Sequence, residues 1–109
     1  MAEIIYNKLV RDNIPAIISN DNATPTQRIL TNDDDYRKAL LEKLVEEAKE
    51  LLDSDGSLDE RADIAEVLKA IDELLGYEAT TIESARVDKA NKRGSFSSRI
   101  YLEKVVTND

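Results

Sequence analysis

The chain contains no cysteine and no histidine. The first absence excludes disulfide stapling, thiolate nucleophiles and thiolate zinc sites. The second removes the commonest general base and the imidazole metal ligand. Chemistry is left to carboxylates, lysine, tyrosine and whatever ion they hold. Cationic residues are also few, 15 Lys and Arg against 23 Asp and Glu for a formal charge of −8. That balance argues against broad binding to nucleic acid or anionic membranes, and a phosphate ligand would need its own local basic patch. No window approaches the roughly 20 apolar residues of a membrane span, and the first residues carry no long apolar stretch. A soluble, cytoplasmic protein is the expectation. At 109 residues the chain is expected to form one domain over 1–109, with a core small enough that a second copy would help bury apolar surface.

Helical periodicity dominates what is present. Asp12 or Asn13 can cap a short helix near Pro15, and a polar stretch, Asn20 to Thr26, follows as a loop. Asp33 to Asp35 supply carboxylates and a cap for a long helix running to about Leu52, with apolar Leu41, Leu44, Val45, Ala48, Leu51 and Leu52. The turn Asp53-Ser54-Asp55-Gly56-Ser57 ends it, and Ser57 with Glu60 has the capping-box signature of a second helix. Ile64, Val67, Leu68, Ile71, Leu74 and Leu75 follow at helical spacing up to Gly76. Thr80 and Glu83 repeat the signature before a further helix from Thr81 to about Arg93, which Gly94 breaks. The pattern predicts an all-α fold, an antiparallel bundle of about four helices. Its one β element would be a minor hairpin pairing Gln27–Thr31 with the apolar tail Ser95–Val106.

Two acidic clusters, Glu46-Glu47-x-x-Glu50 and Glu60-x-x-Asp63, flank the Gly56 turn. Residues three apart on a helix share a side, so each cluster aims a carboxylate pair at one region, and a hairpin would bring the pairs together. A solvated face is the ordinary explanation for helical Glu. Placed at about 100° per residue, however, Glu47 falls on the margin of the apolar arc, with Glu46 and Glu50 further round. Glu60 projects with Ile64, Val67 and Ile71, and Asp63 lies beside Leu74. Acids in a first turn also complement the helix dipole, so capping and cation binding both remain open for Glu60 and Asp63. Convergent carboxylates would raise one another's pKa unless a hard cation compensates them, which makes Mg²⁺, or Mn²⁺, the natural occupant. A calcium loop is excluded: aligning Gly56 with that loop's glycine puts Leu51 and Ala62 where carboxylates are required.

The cations gather at Lys8 with Arg11, and at Lys89, Lys92, Arg93 and Arg99. Lys92 and Arg93 suit a helix C-terminus, while the others could clamp a polyphosphate.

The acidic pair of clusters resembles the signature of the all-α nucleoside triphosphate pyrophosphohydrolases, the group containing MazG, all-α dUTPases and phosphoribosyl-ATP pyrophosphohydrolase. The stretches Tyr6-Asn7-Lys8-Leu9-Val10-Arg11-Asp12 and Lys92-Arg93-Gly94-Ser95-Phe96 resemble its phosphoribosyl-ATP pyrophosphohydrolase-like subgroup. The resemblance implies Mg²⁺ held by Glu47, Glu50, Glu60 and Asp63, and nucleotide hydrolysis between the α and β phosphates. Glu46 or another cluster carboxylate would accept the water's proton, with Lys8, Arg11, Lys89, Lys92, Arg93 and Arg99 on the phosphates. It also implies homodimers or homotetramers. The alternatives are a phosphoribosyl-ATP pyrophosphohydrolase of histidine synthesis and a non-enzymatic helical module that binds a partner protein.

Overall fold

The computed structural model describes residues 2–108, which form α1 (Ile14–Asn20), α2 (Asp33–Asp53), α3 (Leu58–Leu75) and α4 (Ala79–Arg93). The fold is all-α, as the periodicity predicts. Among the described residues there is no strand, so the expected hairpin is absent. The physical reason is exposure: Ile29, Phe96, Ile100 and Leu102 all face solvent, and an apolar strand without a covered face has nothing to hold its register. The chain divides into two compact units, Met1–Gly76 and Tyr77–Asp109.

The first unit is organised by α2 folding back on α3. Its N-cap is Asn32, one residue before the expected acidic caps; the Asn32 side chain accepts from the Asp34 and Asp35 backbone N–H at 2.9 and 3.1 Å. Asp33, Asp34 and Asp35 occupy the first turn, where their charge complements the helix dipole. At the other end, the Ser54 and Gly56 N–H groups donate back to the Glu50 and Leu51 carbonyls, both at 2.9 Å. Gly56 has φ +87°, a value that costs glycine little and other residues much. Only residues 54–57 separate the two helices.

Ser57 caps α3 by accepting from the Glu60 N–H at 3.3 Å. The reciprocal half of the capping box does not form, because the Ser57 N–H donates to the Ser54 hydroxyl at 3.1 Å instead. Ser54 thereby leaves the Glu60 side chain unused by the cap.

The seam between the two helices runs along Leu40, Leu44, Glu47 and Leu51 of α2 and Glu60, Ile64, Val67, Ile71 and Leu74 of α3, a succession of three- and four-residue steps. Leu40 and Ile71 are its buried apolar centre, with relative exposures of 2% and 9%. Leu41, Val45 and Leu52, expected inside, are exposed. One residue turns a helix by about 100°, so packing along the Leu40 line necessarily leaves the Leu41 line outside. Carboxylates thus stand at two seam positions that would otherwise be apolar.

In the second unit α4 begins at Ala79, two residues before the expected start, with Glu78 at the N-cap and no side-chain cap bond. Thr80 is therefore already inside the first turn, and Glu83 pairs with Arg86 one turn on rather than closing a capping box. The Gly94 N–H closes the helix on the Ala90 carbonyl at 2.8 Å.

Candidate metal centre

Glu47, Glu60 and Asp63 each present a carboxylate oxygen, and the three oxygens lie within 4.8 Å of one another. Glu47 projects into the seam from α2 and is 7% exposed, the buried charged residue of the described chain. Glu60 and Asp63 approach from the first two turns of α3 and are partly buried. Glu47 Oε2 and Glu60 Oε2 are buried and accept no hydrogen bond. Such oxygens are costly to desolvate without a partner, and a hard cation is the partner that satisfies several at once. The donor set, all carboxylate oxygen, suits Mg²⁺ or Mn²⁺.

Glu50, one turn along α2 from Glu47, is exposed and lies outside that group of three, although it raises the Glu47 carboxyl and, in the opposite sense, lowers that of Glu60. Glu46 is engaged by two lysines. Its Oε1 accepts from Lys8 at 2.6 Å and its Oε2 from Lys43 at 3.1 Å. Lys43 also stands 3.5 Å from Glu47, with only 15% of its side chain exposed. Lys43 was not among the cations expected at the site. The signal that distinguishes it is spacing, since it precedes Glu46 and Glu47 by three and four residues and so lies on their side of the helix.

The N-terminal segment brings the remaining expected cations of this unit to the cluster. Arg11 donates to Asp63 Oδ1 at 2.7 Å, and Lys8 reaches Glu46 as above. Lys89, Lys92 and Arg93 lie on the last turns of α4, exposed, and Arg99 follows at φ +58°, its N–H closing a turn on the Phe96 carbonyl at 3.0 Å; all four belong to the second unit.

The chain matches no family model, no curated protein and no solved structure. The argument for chemistry therefore rests on the cluster itself.

Its electrostatics are divided. Burial, first, and then the neighbouring Glu50 raise the Glu47 carboxyl above its ordinary 4.5, Lys43 opposing. Glu60 is raised for the same first reason, with Asp63 and Glu47 adding repulsion. Glu46 moves the other way, held below 4.5 chiefly by its hydrogen bond from Lys8. The Lys8 ammonium is raised by the same bond.

These directions set a pH dependence. Glu47 and Glu60 bind protons more tightly folded than unfolded, so the metal-free protein gains stability as pH falls from neutrality toward 4.5, the ordinary value of both. Glu46 contributes stability that is present above 4.5 and is lost as pH falls through its lowered value. Thermal melts in EDTA should therefore show a midpoint that rises on mild acidification and falls again once the pH drops through the lowered Glu46 value, beneath 4.5. In Glu47→Gln the rise should be visibly smaller; an undiminished rise would mean the surface charge as a whole produces it.

Proposed function

We propose that this chain is a magnesium-dependent nucleotide pyrophosphohydrolase that cleaves a nucleoside triphosphate, or a related nucleotide, between its α and β phosphates. The observation that carries the reading is the pair of buried, unpartnered oxygens on Glu47 and Glu60 beside Asp63, three carboxylates gathered at a helix seam. Structural need does not account for them. Leucine or isoleucine at positions 47 and 60 would extend the apolar seam at lower cost. The likeness of the acidic clusters and of the Tyr6–Asp12 and Lys92–Phe96 stretches to the all-α pyrophosphohydrolases points the same way.

Glu47, Glu60 and Asp63 would hold the divalent ion, which when bound supplies charge neutralisation at the phosphate oxygens and acidifies a neighbouring water. Glu50 stands next to them, exposed and in no ion pair among the described residues, and would take the water's proton. Glu46, saturated by Lys8 and Lys43, instead fixes the N-terminal segment against α2. The reaction adds the water oxygen to phosphorus and breaks the bridging P–O bond, releasing a nucleoside monophosphate and pyrophosphate. Lys8 and Arg11 are the cations within this unit placed to stabilise the departing pyrophosphate.

The same reading includes a homo-oligomer. Leu41, Val45 and Leu52 on α2 and Leu68 and Leu75 on α3 are all exposed on helices whose seam has only two buried apolar residues, Leu40 and Ile71. A second copy laid on these outer stripes would complete the bundle.

The deciding experiment incubates the chain with a panel of nucleoside triphosphates and with phosphoribosyl-ATP in millimolar Mg²⁺. Products are assayed for pyrophosphate and, separately, for orthophosphate. Pyrophosphate with nucleoside monophosphate is the expected outcome, and turnover of phosphoribosyl-ATP alone would place the activity in histidine synthesis. A folded protein that hydrolyses nothing on the panel, with Mg²⁺ or Mn²⁺, would leave the interaction-module reading in its place.

A further inference from the structure

Among the described residues, two cations touch the carboxylate triad: Lys43 stands 3.5 Å from Glu47 within α2, and Arg11 alone donates a hydrogen bond, to Asp63. Arg11 reaches Asp63 Oδ1 at 2.7 Å from a segment that has no regular secondary structure before Ile14, and it retains 56% side-chain exposure. Lys8, three residues earlier, is bonded to Glu46, outside the triad, and lies 5.7 Å from the Tyr6 ring centroid. Asn7 adopts φ +47°, in the left-handed region, at the bend just before Lys8. The segment is thus attached to the α2–α3 hairpin at two charged points of different kinds. The Lys8 point involves a carboxylate already shared with Lys43. The Arg11 point involves Asp63, one of the three residues whose carboxylate oxygens lie within 4.8 Å of one another.

A divalent cation in that cluster would sit about 2 Å from its carboxylate oxygens. The Arg11 guanidinium and the ion would then share one carboxylate at a separation where like charges repel strongly, and Asp63 gives more to the doubly charged ion. Glu47 Oε2 and Glu60 Oε2, both without partners, draw the ion in regardless of Asp63. We propose that Arg11 is a resident counter-ion of the carboxylate cluster, displaced from Asp63 by a divalent cation and thereby released to bind a phosphate group. This rests on the cation-binding reading of Glu47, Glu60 and Asp63. It adds an order of events that the reading alone does not contain. Cation binding comes first and frees the arginine. The Lys8–Glu46 bond, three residues away, keeps the freed guanidinium near the cluster. Its planar fork then meets an incoming phosphate as a bidentate donor. In the metal-free protein the guanidinium is held on Asp63 through one Nη, so its full fork is not available to a nucleotide.

The test uses Mn²⁺ alone, titrated into the full chain and followed by electron paramagnetic resonance, with Arg11→Gln and Lys8→Gln beside the wild type. If Arg11 competes with the ion, Arg11→Gln should tighten Mn²⁺ binding about two- to fivefold, the range expected for losing one partly exposed ion pair. Lys8→Gln, which removes the same charge from a carboxylate outside the triad, should tighten it less. The Arg11 side-chain Nη resonances should show hindered rotation without metal and averaging once Mg²⁺ is saturating. Weaker Mn²⁺ binding in Arg11→Gln would overturn the proposal, because Arg11 would then be holding Asp63 in place as an outer partner of the site. Equal tightening in both variants would reduce Arg11 to part of the general field and also overturn it. Absence of Mn²⁺ binding in the wild type would instead remove the metal-site reading, and the counter-ion role with it.

Discussion

Glu47→Gln should lower magnesium-dependent pyrophosphate release by about two orders of magnitude or more while making the metal-free protein more stable. The two effects have one cause. Glu47 is 7% exposed, one of its oxygens has no hydrogen-bond partner, and Glu50 and Asp63 both push its carboxyl toward protonation. A neutral isostere removes that repulsion, and Lys43 keeps Glu46 as its partner at 3.1 Å. A gain of about 1 kcal/mol is expected, equivalent to about 4–8 °C in a domain of this size. Asp63→Asn should lose as much activity without the gain, because Asp63 is paired with Arg11. Differential scanning calorimetry in EDTA, alongside the pyrophosphate assay, checks both. A Glu47→Gln protein that melts lower and still turns over would show that Glu47 is a packing residue. Added Mg²⁺ should close the stability gap by raising the wild type, since a ligand that binds only the folded state stabilises it by mass action.

The helices were legible in the sequence because they are written locally. Apolar spacing, Gly76 and Gly94 place α2, α3 and α4 to within a residue or two. What was not legible is which of two adjacent apolar lines on α2 faces α3. Leu40, Leu44 and Leu51 alternate with Leu41, Val45 and Leu52, and periodicity alone cannot rank two stripes about 100° apart. The outcome depends on the short 54–57 turn and on α3 itself, which is tertiary information. The candidate site was legible for a different reason. Glu47 lies close to the seam whichever stripe packs and so meets Glu60 and Asp63 across the turn, whereas Glu50, the other half of its i, i+3 pair, stays exposed and outside the group. Its counter-ions were less so. Lys8 and Arg11 stood out as a cluster, but their pairing with Glu46 and Asp63 spans 38 and 52 residues and leaves no periodic trace. Ser54 taking the Ser57 N–H, which leaves Glu60 unused by the cap, follows from the geometry of one turn and was hidden behind a conventional capping-box signature.

The distinction between the two stripes of α2 yields the second large effect. Leu40→Ala removes the most buried side chain, 2% exposed, from a seam whose only other buried apolar residue is Ile71. A cost of about 3 kcal/mol is expected from lost burial and the cavity left behind. That is a large part of the total stability of a small domain, and the melting midpoint should fall by about 10–20 °C. The fall should be the same at every protein concentration, because Leu40 belongs to the hairpin of one chain. Leu41 is its neighbour in sequence but 45% exposed, and Val45, one turn on, is 54% exposed. In a lone chain, glutamate at these two positions would be nearly harmless. If a second copy covers the outer stripe, the Leu41→Glu, Val45→Glu double variant should elute as a monomer and melt lower. Its midpoint should also cease to depend on concentration, whereas that of the wild type rises with it. Calorimetry at two concentrations tenfold apart, with light scattering on the same samples, separates the cases. A wild-type midpoint that does not move with concentration, together with a double variant that melts with it, would mean that Leu41 and Val45 face water in the working protein.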